Sequence, residues 1–487
     1  MGQGAWGKEH GARRLYKLSF CSKIVTYNNL INKYSIEPLQ SILDAREERA
    51  RLKKQFALKG LPCIGLNLNI PGFPKSNLVT KTFFDSVVKE LRYFLKAYLL
   101  DILEYEAIIG CDPAGDFYLI PCLKGDLNLK AIKQVCEEFE TSHPLGRFID
   151  VDLNDQQGDT VSSGKLKICF FCHERPAIEC RREHLHEPEE LRAFMFPKME
   201  DYCRQKREER LIKKLSSLAL NAILTEISLT PKPGLVDKFS NGSHSDMDYQ
   251  AFIISSATIS QYFGDLVRAG LTFADHDHTK ALPIIRKIGL EMETAMFDAT
   301  NGANTQKGII FLMGLCLFSC GKINGQSDKF DIEEFRFVVK NICKDLTFNE
   351  LSNRHDSIKS HGEAVFKKYN FGGARGEAES GFRTVFEFGL PQIADCDRLN
   401  DEALTKSFLA IASNNMDTNI LYRSNFEVLS QFQNLCKITL EDFTSENYSN
   451  VIDYCKKENI SPGGSADLLA VTIFAWSVER LGAWGIA

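Results

Sequence analysis

KMEDYCRQKREERLIKKL, residues 198–215, is the stretch on which the architecture turns. Charges crowd it, with apolar residues spaced between them, so it reads as a solvated connecting helix. Before it, helical spacing mixes with period-two alternation. After it, strand signals nearly vanish. We therefore expect a tail at 1–36, an α+β unit at 37–200, a charged helical linker at 201–214 and an all-α unit at 215–487.

Working outward towards the N-terminus, LDAREERARLKKQ (43–55) carries the spacing of a solvated helix, expected from Ser41 to Ala57. Ile64, Leu66, Leu68 and Ile70 alternate with Gly65, Asn67 and Asn69, which marks a half-buried strand stopped by Pro71-Gly72. Residues 81–105 and 126–140 return to helical spacing, and Arg147–Leu153 and Lys165–Phe171 look like strands. Beyond the linker, Tyr249–Gly270, Leu282–Asp298, Gly308–Cys320, Arg375–Phe388, Glu402–Ser413 and Ser465–Leu481 predict helices.

Composition bounds the function. Among 487 residues, 59 Lys and Arg stand against 64 Asp and Glu, a net charge of −5 that speaks against a nucleic-acid coat. The longest apolar run, Gly308–Cys320, is shorter than the roughly 20 residues of a bilayer span. No apolar signal segment opens the chain, and 15 cysteines, an odd number, read as reduced thiols of a cytoplasmic protein. No membrane and no nucleic-acid partner is expected.

Two features in the first part carry chemistry. Asp150 and Asp152 sit two apart in RFIDVDL, so a strand projects both carboxylates from one face. Two hard oxygen ligands suit Mg²⁺, which bridges a pyrophosphate; a wet strand face is the plain alternative. Arg147 and Lys75 are candidate phosphate contacts. Cys169, Cys172, Cys180 and His186 have the spacing C-x2-C-x7-C-x5-H of a tetrahedral Zn²⁺ site, with His184 competing for the fourth position and ordinary thiols as the alternative.

LDAREERARLKKQ, LNLNIPGFPKSN, GRFIDVDLND and CFFCHERPAIECRREHLHEPEEL together resemble holo-citrate lyase synthase over about Leu39–Phe196. The resemblance implies transfer of phosphoribosyl-dephospho-coenzyme A to a serine of the apo-citrate lyase acyl carrier protein, with release of pyrophosphate. It carries over Arg46, Glu47, Arg49, Asn69, Pro71, Gly72, Lys75, Arg147, Asp150 and Asp152. Glu183 and Leu185 interrupt the arginine-rich stretch that the family tends to have after the third cysteine.

The sequence holds neither a P-loop nor a dinucleotide fingerprint; the nearest candidate, GDTVSSGKL (158–166) in the first part, has the wrong spacing. Polar clusters instead recur at predicted helix starts: PKPGLVDKFSNGSHSDMD (231–248), ATNGANTQKG (299–308), GGARGEAESGF (372–382), DTNILYR (417–423) and SPGGSADLLA (461–470). Helix N-termini offer free N–H groups and a positive dipole end, so five such starts point to a polyphosphate and Mg²⁺ site in a helical bundle. Single clusters of this kind are usually plain caps.

These segments, in this order, resemble triphosphoribosyl-dephospho-coenzyme A synthase over 218–483. The resemblance implies transfer of the triphosphoribosyl part of ATP to a ribose hydroxyl of 3′-dephospho-coenzyme A, releasing adenine. Asp246, Asp248 and Asp417 are the expected Mg²⁺ or base carboxylates, with Glu293, Glu377 and Asp467 as second choices. Lys232, Lys307, Arg375 and Arg423, with Gly463, Gly464 and Ser465, are the expected triphosphate contacts. The family usually carries His where this chain has Gln306, which cannot titrate. Either that imidazole is not essential or this half is weakened, and His244 is a candidate replacement. The leading expectation is a bifunctional enzyme; the alternatives are an active first half alone, or a zinc-containing adaptor without turnover.

Overall fold

The alternation around Ile64 does become a strand, and it is the centre of a small sheet. The computed structural model describes residues 38–482 and 484, apart from 99, 124–127, 165, 328 and 353–360. The tail at 1–36 lies outside them. The chain divides into two compact units, one ending at Lys206 and the other beginning at Arg207.

The first unit runs α1 (Pro38–Leu58), β1 (Cys63–Leu68), α2 (Leu78–Ala97), β2 (Ile108–Asp112), β3 (Gly115–Pro121), α3 (Leu129–Ser142), β4 (Ile149–Asn154) and α4 (Ala177–Arg182). The strands form one antiparallel sheet in the order β2-β3-β1-β4. Ile64 and Leu66 of β1 and Val151 and Leu153 of β4 bury against α2 (Phe83, Phe84, Val87, Leu91) and α3 (Ile132, Val135, Phe139). The opposite face carries a smaller cluster, Phe56 of α1 with Cys63, Phe117 and Leu119. Period-two alternation therefore sends Asp150 and Asp152 to the face away from α2 and α3. β4 is an edge strand, and α3 covers its free polar groups: Val151 N–H donates to Glu140 (2.6 Å), and Lys133 donates to the Val151 carbonyl (3.0 Å).

Two expectations need correction here, and one element went unread. The helix read over 81–105 ends at Ala97, and a single 3₁₀ turn follows at Glu104–Glu106. The hairpin β2–β3 was not foreseen. Lys165–Phe171 is no strand: among its described residues only Ile168 makes an isolated bridge, to Pro176, because the chain turns back at the cysteines. Without a sheet beside it, Leu166 stays 74% exposed.

The charged stretch lies inside one long helix, α5 (Pro188–Ser228). Its Met195, Met199, Tyr202 and Cys203 belong to the core of the first unit. Leu211, Leu215, Ala219, Ala222 and Ile223 belong to that of the second.

The second unit continues with α6 (Tyr249–Ser260), α7 (Phe263–Thr272), α8 (Leu282–Ala299), α9 (Lys307–Asn324), α10 (Ile332–Ile342), α11 (His361–Tyr369), α12 (Gly373–Glu379), α13 (Asp401–Ala412), α14 (Thr418–Arg423), α15 (Phe426–Glu441), α16 (Ser445–Glu458) and α17 (Gly463–Glu479). It has no strand among the described residues. The helix read over Tyr249–Gly270 is broken at Gln261-Tyr262, and the one read over Arg375–Phe388 stops at Glu379.

α9 is the axis of this bundle, with fourteen of its eighteen residues buried. By length and composition it is apolar enough to cross a membrane, but 78% of it is buried among the other helices. α7 presses closely on it: a Cβ on Gly270 would lie 2.1 Å from the Phe318 carbonyl, and one on Gly321 2.3 Å from the Val267 carbonyl. Only glycine lets the two backbones approach so far. Buried Lys322 of α9 donates to the carbonyls of Phe273 (2.9 Å), Ala274 (2.6 Å) and His276 (2.8 Å), neutralising the negative end of α7.

Candidate functional site

In the first unit, the β1–β4 register sets Asp150 opposite Asn67 and Asp152 opposite Gly65. Glycine at 65 leaves room for Lys53 of α1, whose Nζ would lie 3.4 Å from a Cβ there. Lys167 bridges Asp150 (3.1 Å) and Glu140 (2.8 Å), and Lys133 stands 3.9 Å from Asp152. Burial, followed by the Asp150 charge, pushes the Asp152 carboxyl up, while these lysines oppose the shift. The pair is thus a half-buried dicarboxylate rimmed by cations. Lys167 and Glu140 were missed: Lys167 lay in the supposed strand, and Glu140 in a helix that gave no sign of facing β4.

The carried-over residues separate into two kinds. Arg49 is buried and saturated. It donates to both oxygens of Asp112 (2.7 and 2.6 Å), to Asn67 (2.6 Å) and to the Gly115 carbonyl (2.6 Å). It ties α1 to the sheet. Asn69 likewise donates to the Ile149 carbonyl (3.1 Å), and Glu47 is exposed. Lys75 is different: it donates to the Ile70 carbonyl (2.5 Å) within a loop where Gly72 has φ 64°. Burial and the neighbouring Arg46, Arg192 and Arg181 push its ammonium group down. Arg192 braces the same loop through the Pro71 (2.8 Å) and Pro74 (2.6 Å) carbonyls. Arg147 donates to the Ile168 carbonyl.

Cys169, Cys172, Cys180 and His186 converge, their ligand atoms all lying within 4.8 Å of one another. Backbone N–H groups, Glu174 first, bring the Cys172 thiol down to about 6; burial and the adjacent sulfurs push Cys180 up to about 12. His184 stands outside the group, exposed and with φ 49°.

In the second unit, all five polar clusters contribute to the wall of one cavity of about 1070 Å³. Of the expected residues, Lys232, Asp246, Lys307, Arg375, Arg423, Gly463, Gly464, Glu293, Glu377 and Asp467 line it. Asp248 does not; it caps α6 by accepting from Ala251 N–H (2.8 Å). Asp417 is 1% exposed and lies behind the wall, accepting from Ser465 N–H (2.8 Å), Ser465 Oγ (2.9 Å) and Asn419 N–H (3.0 Å). It joins the start of α14 to that of α17, and Ser465 is its buried partner.

The cavity's charges are mostly paired. Lys232 bonds to Glu226 (2.7 Å), Lys307 to Glu293 (2.8 Å) and Arg375 to Glu350 (2.9 Å), which also holds Arg286. Glu377 accepts from Thr384 N–H and Oγ (2.5 and 2.9 Å), and burial pushes its carboxyl up. Asp467 is the exception. Among the described residues no hydrogen bond reaches its carboxylate, and burial, with Glu226 and Asp417 nearby, pushes it well above the ordinary range. A Cβ on Gly308 would lie 1.9 Å from its Oδ2, so the glycine of the NTQKG segment makes room for this group.

Gln306 and His244 both line the cavity. Gln306 accepts from Ser255 (2.6 Å) and donates to Ser256 (3.0 Å), so both ends of its amide are engaged. His244 contacts Ser461 (2.8 Å) and Arg423 (3.3 Å), and burial, then Arg423, lowers its pKa. Glu226, Arg286 and Glu350 were missed, since each lies in a stretch with no motif and reaches the cavity only through the packing of its helix.

Two family models match the chain. Residues 37–202 match apo-citrate lyase phosphoribosyl-dephospho-CoA transferase, and residues 212–485 match ATP:dephospho-CoA triphosphoribosyl transferase. The protein named CitXG of Leuconostoc mesenteroides subsp. cremoris is 30% identical, over 90% of this chain and 96% of its own length. That of Haemophilus influenzae is also 30% identical, covering 90% and 95%. A probable 2-(5″-triphosphoribosyl)-3′-dephosphocoenzyme-A synthase of Photobacterium profundum is 38% identical over 54% of the chain and 86% of its own length.

Proposed function

The chain belongs to the family of fused CitXG transferases, and from that premise we propose how its two sites divide the chemistry of making and attaching the citrate lyase prosthetic group. The helical unit acts as ATP:dephospho-CoA triphosphoribosyl transferase. The bond between adenine and C1′ of the ATP ribose breaks, and a ribose hydroxyl of 3′-dephospho-coenzyme A forms the new bond to that carbon. The triphosphate stays whole, so this is glycosyl rather than phosphoryl transfer and passes through an oxocarbenium-like state.

The observation that carries this reading is the cavity itself: acidic and basic side chains from five separated segments meet in one space large enough for a nucleotide. Lys232, Lys307, Arg375 and Arg423, with the α17 start at Gly463-Gly464, hold the triphosphate. Asp467, raised by burial and open to the cavity, accepts the proton of the attacking hydroxyl. Asp417 positions Ser465 and the α17 N-terminus. Asp246, 61% exposed and lining the cavity, is a hard oxygen donor suited to Mg²⁺, with Asp248 fixing its loop as the α6 cap. Mg²⁺ there would offset triphosphate charge.

The first unit, read as a nucleotidyltransferase-like domain, transfers phosphoribosyl-dephospho-coenzyme A to a serine of the apo-citrate lyase acyl carrier protein. The serine oxygen forms a bond to phosphorus and pyrophosphate leaves. Asp150 and Asp152 suit Mg²⁺ as two hard donors on one rigid face, and the cation would neutralise the leaving pyrophosphate. Lys75 and Arg147 meet the phosphates. Fusion keeps the shared intermediate at high local concentration. Intact mass of the apo carrier, incubated with this protein, ATP, Mg²⁺ and 3′-dephospho-coenzyme A, tests both halves. One adduct of the prosthetic-group mass is expected; an unchanged carrier rejects the reading.

A further inference from the structure

Among its described residues, the stretch from Asp155 to Glu187 has little regular structure to hold it: one six-residue helix, α4, and isolated bridges at Thr160 and Ile168. Yet it carries groups that the transferase face uses. Lys167 sits on Asp150 and Glu140, the Ile168 carbonyl receives Arg147, and Arg181 belongs to the cations around Lys75. Val161 and Phe170 anchor the first half of the stretch to the core of the first unit, and Phe171 packs on Phe194, but from Cys172 to His186 no residue belongs to a hydrophobic cluster or a strand, so something else has to fix that path.

We propose that Cys169, Cys172, Cys180 and His186 bind one structural Zn²⁺ that staples this stretch. Four observations support it. The ligand atoms lie within 4.8 Å of one another, which fits a single ion. The Cys172 and Cys180 sulfurs are 3.7 Å apart. A tetrahedron with Zn–S bonds of about 2.3 Å has edges of about 3.8 Å, whereas a disulfide needs about 2.05 Å. Cys169-Phe170-Phe171-Cys172 closes a tight turn, with His173 N–H donating to the Cys169 carbonyl (3.2 Å) and His173 at φ 59°. Finally, His186 Nε2 is buried with no hydrogen-bond partner among the described residues, and its ring packs edge-on against Phe171 at 5.0 Å. A buried imidazole nitrogen without a partner is costly unless something fills the place.

Three thiolates and an imidazole select Zn²⁺ over the oxygen-preferring Mg²⁺. All four positions of the tetrahedron are taken by the protein, so the ion holds structure and leaves no site for substrate. It joins the turn at 169–172 to α4 through Cys180 and to the entry of α5 through His186. His186, not His184, is the fourth ligand.

The test reads metal directly, without substrate, so its outcome is independent of the carrier-transfer reading. The full chain, purified without a metal-affinity step, is expected to hold one zinc per chain by elemental analysis. Replacement by Co²⁺ is expected to give the thiolate charge-transfer and d–d absorption of a tetrahedral site. Cys172→Ser and His186→Gln should lose the stoichiometric metal, whereas His184→Gln should keep it. Adenine release by the helical unit serves as the folding control for each variant. A chain without zinc whose three thiols react freely, or a disulfide between Cys172 and Cys180, would overturn the proposal. Metal kept in His186→Gln but lost in His184→Gln would overturn the ligand assignment.

Discussion

The acidic groups of the two units stand in opposite surroundings. Asp150 and Asp152 come from one strand, two residues apart, and lysines from α1, α3 and the 155–187 stretch compensate them. Asp467 in the helical unit faces a cavity, no cation among the described residues is bonded to its carboxylate, and the charges that shift it, Glu226 and Asp417, are themselves acidic. At the dicarboxylate, burial and the paired charge still push Asp152 up, but the lysines beside it offset part of that cost. A carboxylate held by burial beside like charges is unfavourable for folding, which makes it a candidate for acting on a ligand. The contrast predicts that neutralising substitutions act differently in the two places.

The largest effect is expected at the strand pair. Asp150→Asn or Asp152→Asn should lower carrier modification, read by intact mass, on the order of 10²-fold or more. Adenine release should stay at the parental rate. Modification retained in both variants would remove the strand pair from the chemistry.

At Asp467 the account predicts loss of function together with gain of stability. Asp467→Asn should lower adenine release by about 10²-fold, while raising the unfolding free energy by roughly 0.5–2 kcal/mol. A destabilised Asp467→Asn protein would show the carboxylate to be structural. Gly308→Ala approaches the same group from its neighbour. The added methyl would overlap Asp467 Oδ2, and a displaced carboxylate should cost adenine release at least about tenfold. Normal release in Gly308→Ala would place the reaction elsewhere in the cavity.

The pH dependence of stability sharpens the comparison. Asp417, Glu377 and Asp467 all have carboxyls raised by burial in the folded chain. Between the unfolded carboxylate range and those raised values, the folded state binds more protons than the unfolded one. Stability contributed by these groups is therefore full below the unfolded range and is lost as pH rises through the folded values. Chemical denaturation across that window should show a falling slope that Asp467→Asn makes shallower. A slope unchanged in the variant would mean that the group ionises freely.

The smallest effect is expected at Gln306. Its amide is engaged at both ends, by Ser255 and Ser256, so Gln306→His should change adenine release by less than about tenfold. A large gain in release would instead show that the parent lacks a needed imidazole.

What could be read beforehand follows the same division. The strand pair was legible because period two is local: Val151 and Leu153 mark the core face and thereby give the direction of Asp150 and Asp152. The hairpin β2–β3 was hidden because 81–105 was read as one helix running up to its edge. The 165–171 alternation misled because Leu166, Ile168 and Phe170 imitate a strand while their neighbours turn at the cysteines. In the helical unit each motif was visible, but the pairing of Lys232 with Glu226, or of Arg375 with Glu350, depends on how distant helices pack. Asp248 and Asp417 show the limit most clearly. Both were acidic residues at helix starts beside a site, and the structure has Asp248 capping α6 and Asp417 buried behind the cavity wall.

The most direct measurement concerns the bond that breaks in the helical unit. The purified protein is incubated with ATP, Mg²⁺ and 3′-dephospho-coenzyme A, and the small-molecule products are separated. The account predicts free adenine in equal amount to a dephospho-coenzyme A carrying an intact triphosphoribosyl group. ADP or AMP formed without adenine would contradict it.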